Sequence, residues 1–415
     1  MRHSLSFAAI ALLCCSVSTD AVARPRPTAR KVYGPLWFKE TVRTGPCLLT
    51  VALPAKKDEG CTSFSRRESA GVAFHAPSGF LLVGGSDHQL HGMSAKNGEM
   101  RYKAKLPGAL IARPTLSGNH AFFGTNEAHV LKTDITSGRI RWDITVDAEV
   151  IEPVRVHQGV VYVVTGLDTV YAFDAETGKG MWVQKHALPT GITLRGQARP
   201  LVVDVEDGAA SSDEKEAPRV FIGHADGKMS VVDGITGRIV HQMELGKAEA
   251  FNDVDADPVH FKGTVFAASQ NTGVFAIKAD NFAVRWQNEE RGIVRLATGG
   301  GRLVVGAGAG KIVAFDALTG KSRWRFTFKK GAPTRISVKG GRVHVASDRG
   351  SIYVLDLVSG EPLQYYGTGL GFAGDLEVQS DMLFAVSTAG HVHALSNAFA
   401  GKTQRKQKFK DRRPY

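Results

Sequence analysis

The nonapeptide DAETGKGMW at residues 174–182 returns as DALTGKSRW at 316–324, with Asp, Thr-Gly and Trp at unchanged offsets. Setting the turn glycines in register yields further copies: SAKNGEMRY (94–102), DITSGRIRW (134–142), DGITGRIVH (233–241), KADNFAVRW (278–286) and DLVSGEPLQ (356–364). Successive copies are 40, 40, 59, 45, 38 and 40 residues apart, Phe282 standing where the fifth glycine is due. A unit of about 40 residues is the period of a four-stranded propeller blade, and such a chain spreads its core over many interfaces.

Each unit carries the strands a blade needs. Within 151–187, EPVRV, GVVYVVTG, DTVYAFDA and GMWVQKH are β-branched runs separated by Gly, Asp or Thr turns, which reads as a meander. The Thr-Gly or Ser-Gly pair supplies the positive φ of a tight hairpin between third and fourth strands, and the Asp or Thr side chain can bond the turn backbone. Trp142, Trp182, Trp286 and Trp324 all lie four positions after the turn residue. This places them on outer strands, where each ring can wedge against the next blade.

The fifth tryptophan, Trp37, precedes every copy, while 370–397 supplies three strands but no fourth. Residues 35–42 are therefore expected to be the missing outer strand, docked beside 391–396. The predicted fold is all-β: an eight-bladed β-propeller of four-stranded antiparallel blades over 35–401, its ring closed by an N-terminal strand. The long spacing in blade 4 comes from the polar, acidic stretch 205–219, expected as an exposed hairpin insertion.

The flanks read differently. Arg2, the apolar run Leu5–Cys15 and the small-residue site Ala21-Val22-Ala23 predict a signal peptide over 1–23, followed by a linker over 24–34. Export makes a Cys47–Cys61 disulfide the expected state of the two mature cysteines. Leu13 precedes Cys14 where a lipid-attachment cysteine usually follows a small residue, so cleavage after Ala23 is favoured over lipidation of Cys14 or Cys15. The predicted location is the periplasm, peripheral to the outer membrane. The last 14 residues hold seven Lys/Arg against one Asp, contributing half of the formal +12. This tail, 402–415, is expected to be disordered. It serves either as a solubilising extension or as an arm for anionic lipid or lipopolysaccharide, and no nucleic-acid module accompanies it.

Other motifs have plain structural readings. GAGAGK (306–311) suggests a phosphate loop but falls between the second and third strands of blade 6, with no helix after it. HVH (391–393) puts two imidazoles on one strand face without a third ligand. Asp174, Asp233, Asp316 and Asp356 stand in repeat register and read as turn residues. Nothing resembles a catalytic centre, and no metal or cofactor is expected.

The A-x-D-x-x-T-G-x-x-x-W pattern resembles the quinoprotein, or PQQ-like, propeller repeat. More closely, the chain resembles the BamB family, periplasmic eight-bladed accessory proteins of the outer-membrane β-barrel assembly (BAM) machine. ITLRGQARP (192–200) and NDVDADPVHFKGTVFAAS (252–269) carry the likeness. It implies a non-enzymatic scaffold that contacts the periplasmic domains of BamA through Ile192, Leu194 and Arg195 in one loop and Asp253 and Asp255 in another. Both loops immediately precede the prolines, Pro200 and Pro258, that open the first strands of blades 4 and 5. They should therefore be adjacent, equivalent and exposed on one face. The alternative for Arg195 is an ion pair with Asp253 or Asp255 that ties the blades together. The departures from the family are the absent lipobox, the 205–219 insertion and the basic tail. Two other functions are a degenerate PQQ-dependent quinoprotein enzyme and an exported propeller that binds an envelope polymer.

Overall fold

The computed structural model describes residues 32–40, 70–187, 198–204, 217–246, 253–328, 331–368 and 371–397. They form eight separate four-stranded antiparallel sheets arranged as the blades of a propeller. Blade 1 consists of Val72–His75, Phe80–Gly84, Gln89–Ser94 and Met100–Lys105, running outward from the axis. Blades 2 to 7 repeat this order over 115–145, 155–185, 201–244, 259–288, 293–327 and 333–367. Blade 8 combines Glu377–Val378, Met382–Val386 and His391–Ser396 with the N-terminal strand Gly34–Glu40.

Burial follows radial position. The second strand of blade 3, Val160–Val164, is buried throughout, because both faces of its sheet meet a neighbouring blade. Its outer strand, Gly180–Lys185, only alternates between half-buried and exposed. The apolar core of the described residues is accordingly divided into eight clusters, one at each interblade interface; Phe221 and Val231 of blade 4, with Val254 of the connection that follows, pack against Val265 and Ile277 of blade 5.

The repeated nonapeptide builds those interfaces. Gly138, Gly178, Gly237, Gly320 and Gly360 all have φ between 69° and 76°, and Phe282 adopts 62° in the same place. The hairpin Asp accepts from the turn: Asp233 Oδ1 takes the N–H groups of Ile235 and Thr236 at 3.0 and 2.8 Å. The preceding blade's tryptophan lies over that turn. Trp182 Nε1 donates to Gly234 O at 3.0 Å, and a Cβ on Gly237 would sit 2.6 Å from its ring. Trp37, Trp142, Trp286 and Trp324 likewise donate to Ala95, Ala175, Ala317 and Leu357 carbonyls at 2.9–3.3 Å.

Blades without tryptophan reach the next turn by other means. Tyr102 donates its hydroxyl to Ile135 O at 2.8 Å. His241 stacks on Phe282, centroids 4.8 Å apart, so a second ring replaces the missing glycine.

Blade 7 explains the closure. Blade 8 has no hairpin between its third and outer strands, since the latter arrives from the N-terminal end of the propeller. Gln364 of blade 7 binds that arriving backbone instead. Its Oε1 accepts the N–H groups of Val32 and Tyr33 at 2.9 and 2.6 Å, and its Nε2 donates to Tyr33 O at 2.6 Å. Gly34–Glu40 then pairs antiparallel with His391–Ser396, with one irregularity between Pro35 and Trp37.

Within GAGAGK, Gly308–Gly310 forms one 3-10 turn between strands Arg302–Ala307 and Lys311–Asp316, as expected for a hairpin. No helix among the described residues is long and apolar enough to cross a membrane. The predicted signal segment, Cys47, Cys61, positions 205–216 of the predicted 205–219 insertion and the basic tail lie outside the described residues; at the end of that insertion Pro218 is buried and Arg219 already opens strand Arg219–Gly223.

Candidate partner-binding face and axial charge network

Each outer strand hands the chain to the innermost strand of the next blade on one face of the ring. The meander brings the turns between second and third strands to that same face. Positions 192–195 belong to the connection from Gly180–Lys185 to Leu201–Val203, and 253–255 to the one from Ile239–Glu244 to Val259–Phe261. These connections serve consecutive blades. Ile192, Leu194 and Arg195 themselves lie outside the described residues.

Asp253 and Asp255 differ from the sequence expectation of exposed loop carboxylates. Asp253 is 1% exposed, and Val254 and Ala256 are fully buried in neighbouring interface clusters. The backbone is stitched inward: Val254 N–H donates to His224 O at 3.1 Å and Gln270 N–H to Asp253 O at 3.2 Å. Asp255 is half-buried, and its carboxylate accepts from Gln270 Nε2 at 3.1 and 3.2 Å. Burial pushes its pKa up, against the opposing effects of Gln270 and Arg295. The physical reason is the route: the segment passes between two blades on its way to the axis.

Deeper along the same strands lies a group that the sequence reading missed. Arg113, Glu152, Arg155, Arg199, Asp257, Arg295, Arg335, Asp375 and Glu377 occur at or just before the innermost strands, so they converge on the bore. Arg199 of blade 4 reaches across the ring to blade 8, its Nη2 3.0 Å from Asp375 Oδ2. Arg335 Nε is 2.6 Å from the other Asp375 oxygen, and Arg113 pairs with Glu377. Asp257 Oδ1 accepts the Arg199 N–H at 2.8 Å. Arg155 and Arg295 donate to Pro200 O and Thr334 O at 3.0 and 2.7 Å. Among the described residues blade 1 contributes no charge here; a Cβ on Gly71 would stand 2.6 Å from Arg113 Cβ, so glycine makes room for the network.

The network polarises its members. Despite burial, Arg335, Arg199 and Arg113 hold the Asp375 carboxyl well below the usual carboxylate range. Glu152 goes the other way: burial and the Asp257 charge outweigh three arginines and raise it to about 7. Every arginine of this network has a carboxylate or carbonyl partner. The network's signal in the sequence is the charge beside proline at blade starts, in ARP (112–114), EP (152–153), ARP (198–200) and DP (257–258).

The hairpin aspartates behave as turn residues. Burial raises Asp134, but bonds from Thr136 and Ser137 outweigh it and leave the carboxyl at about 2. Arg323 and Thr319 bring Asp316 to about 2 as well. Of the HVH imidazoles, His393 is buried, held down to about 4 by desolvation, and lies 3.1 Å from Tyr366 Oη. Among the described residues one group, Asp168, His186 and His224, brings metal-type donors together.

The family model described as outer membrane protein assembly factor BamB matches residues 43–139, 113–307 and 308–404. The chain is 24% identical to outer membrane protein assembly factor BamB of Yersinia pestis over 229 residues, 54% of each chain. It is 26% identical to that of Shewanella oneidensis over 228 residues, 53% of this chain and 54% of the other. The chain thus spans about half the length of the curated relatives it matches. A quinoprotein ethanol dehydrogenase of Pseudomonas putida is 26% identical over 182 residues, 44% of this chain and 23% of that one. Among solved structures, BamB from Moraxella catarrhalis superposes with a TM-score of 0.70 at 19% identity, covering 88% of this chain and all of that one.

Proposed function

The chain belongs to the family of outer membrane protein assembly factor BamB, and from that premise we propose that it is a non-enzymatic scaffold of the BAM machinery. It works in the periplasm beside the outer membrane, binds the periplasmic domains of BamA and assists insertion of outer-membrane proteins. The observation that carries this reading is the family match, whose segments together run from residue 43 to 404. The interblade connections carrying 192–195 and 253–255 are the proposed docking surface. They lie on one face of a rigid ring, where a partner meets two consecutive blades at once. Ile192 and Leu194 supply apolar contact and Arg195 a planar cationic donor, a residue type enriched at binding hot spots. Asp255 borders this surface; Asp253 acts from beneath it by holding the connection in place. The basic tail adds an arm for anionic lipid head groups.

A titration against the BamA periplasmic domains tests the reading. Arg195→Glu and Leu194→Ala should each weaken binding by about 1–3 kcal/mol and leave the melting curve unchanged. Asp253→Arg should instead lower the melting temperature, because it replaces a small buried carboxylate with a larger group of opposite charge. Failure of the wild-type chain to bind, or equal affinity in both loop variants, would remove this surface from consideration.

The quinoprotein relative supports a second reading, an enzyme that uses a quinone cofactor. Saturable dye-linked alcohol oxidation with added PQQ and calcium would establish it.

A further inference from the structure

Blades 3 and 4 bring two imidazoles and a carboxylate together on the face just described. Asp168 ends the turn before strand Thr169–Asp174, His224 begins the corresponding turn of blade 4, and His186 directly follows outer strand Gly180–Lys185. One donor atom from each lies within 4.8 Å of the others. His224 Nδ1 is 3.0 and 3.1 Å from the two Asp168 oxygens, and both side chains are almost wholly buried. The His186 ring stacks on His224 with centroids 3.8 Å and planes 17° apart.

One further feature sets this group apart from chance proximity. The outer nitrogen of each imidazole is already held. His224 Nε2 is 2.9 Å from Ser230 Oγ, which accepts from Gln242 Nε2 at 3.2 Å. His186 Nε2 is 3.0 Å from Asp226 Oδ2, and Lys228 Nζ is also 3.0 Å from that oxygen. Metal-binding histidines are commonly oriented in this way through their second nitrogen. Asp168 takes the positive φ, 56°, that the residue before the third strand has in the other blades, as at His88, Ala128 and Gly227, and its N–H donates to Thr165 O at 3.0 Å. The turn sets its carboxylate beside the two imidazoles.

We propose that Asp168, His186 and His224 form a binding site for a divalent transition metal of the zinc class. Two imidazole nitrogens and one carboxylate oxygen are donors of the right softness, and a water completes the tetrahedron. His186, the more exposed ring, shifts slightly toward the ion with Asp226 still on its Nε2. The ion takes the place of the hydrogen between His224 Nδ1 and Asp168, and the neutral ring keeps its one proton on Nε2, toward Ser230 Oγ. Bound metal then clamps blade 3 to blade 4 at the root of the connection that continues to Ile192.

The test uses the untagged mature chain, stripped with chelator and titrated with zinc by calorimetry. One equivalent should bind and raise the melting temperature. His186→Ala should abolish binding while keeping a native circular-dichroism spectrum. Asp226→Asn should weaken it about 10–100-fold through the lost orienting bond. Cobalt should give ligand-field bands in the wild-type chain and none in His186→Ala. Absence of equimolar binding by the wild-type chain overturns the proposal, as does wild-type affinity in His186→Ala. If that variant fails to fold, a wild-type cobalt spectrum without nitrogen-ligand bands overturns it equally.

Discussion

Trp182 and Gly237 form one device from two positions 55 apart in the sequence. The ring covers the turn, the turn carbonyl accepts its N–H, and only a residue without Cβ lets the ring lie so close. Trp182→Ala should cost about 3–5 kcal/mol by removing a large packed side chain. Gly237→Ala should cost about 1–3 kcal/mol from overpacking together with its positive φ. In the double variant the clash has no partner, so the two losses should sum to less than their separate values in denaturant titration. Strict additivity would show that the ring and the glycine do not share a contact. Pairs of this kind were legible in the sequence because they recur in register. Asp253 was not, because a carboxylate in a polar loop reads as solvated and its burial is decided by Val254 and Ala256 entering two clusters. The bore network was equally hidden, since Arg199 and Asp375 meet only once the ring is closed.

At the level of elements, the eight-blade ring was inferred by counting: a surplus Trp37 at one end and a missing outer strand at the other. The pairing of Gly34–Glu40 with His391–Ser396 bears that out. The departure of the seventh copy from the pattern, Gln364 in place of tryptophan, has its cause in the same join, because no hairpin stands opposite it. Removing residues 24–42 takes away this strand, uncovers the backbone edge of His391–Ser396 and strips Gln364 of its partners. The truncated chain should lose cooperative unfolding and aggregate. Scanning calorimetry checks this, and an unchanged transition would refute the role of the strand in closure.

For the molecule as a whole, the charges of the bore couple stability to pH in two opposite ways. Glu152 titrates at about 7 in the folded ring against an ordinary 4.5, so between these values the folded chain holds a proton that the unfolded chain has lost. Its contribution to stability therefore falls as pH rises from about 4.5 to about 7. Asp375 is depressed, so its contribution is present above its ordinary 3.8 and disappears as acid protonates it. Denaturant melts from pH 5 to 8 should show a downward slope in the wild-type chain that Glu152→Gln flattens; an identical slope in both would place the titrating group elsewhere. The join at blade 8 also sets the order of events in time. Strand Gly34–Glu40 is made long before the strand it pairs with, His391–Ser396. Blades 1 to 7 can form from neighbours in sequence as they appear, but the ring must wait for its final strands. Such distant pairing is slow because loop closure precedes any gain from contact. Until then this strand lacks its partner, so the interval before closure is when the chain most depends on being shielded from others like itself.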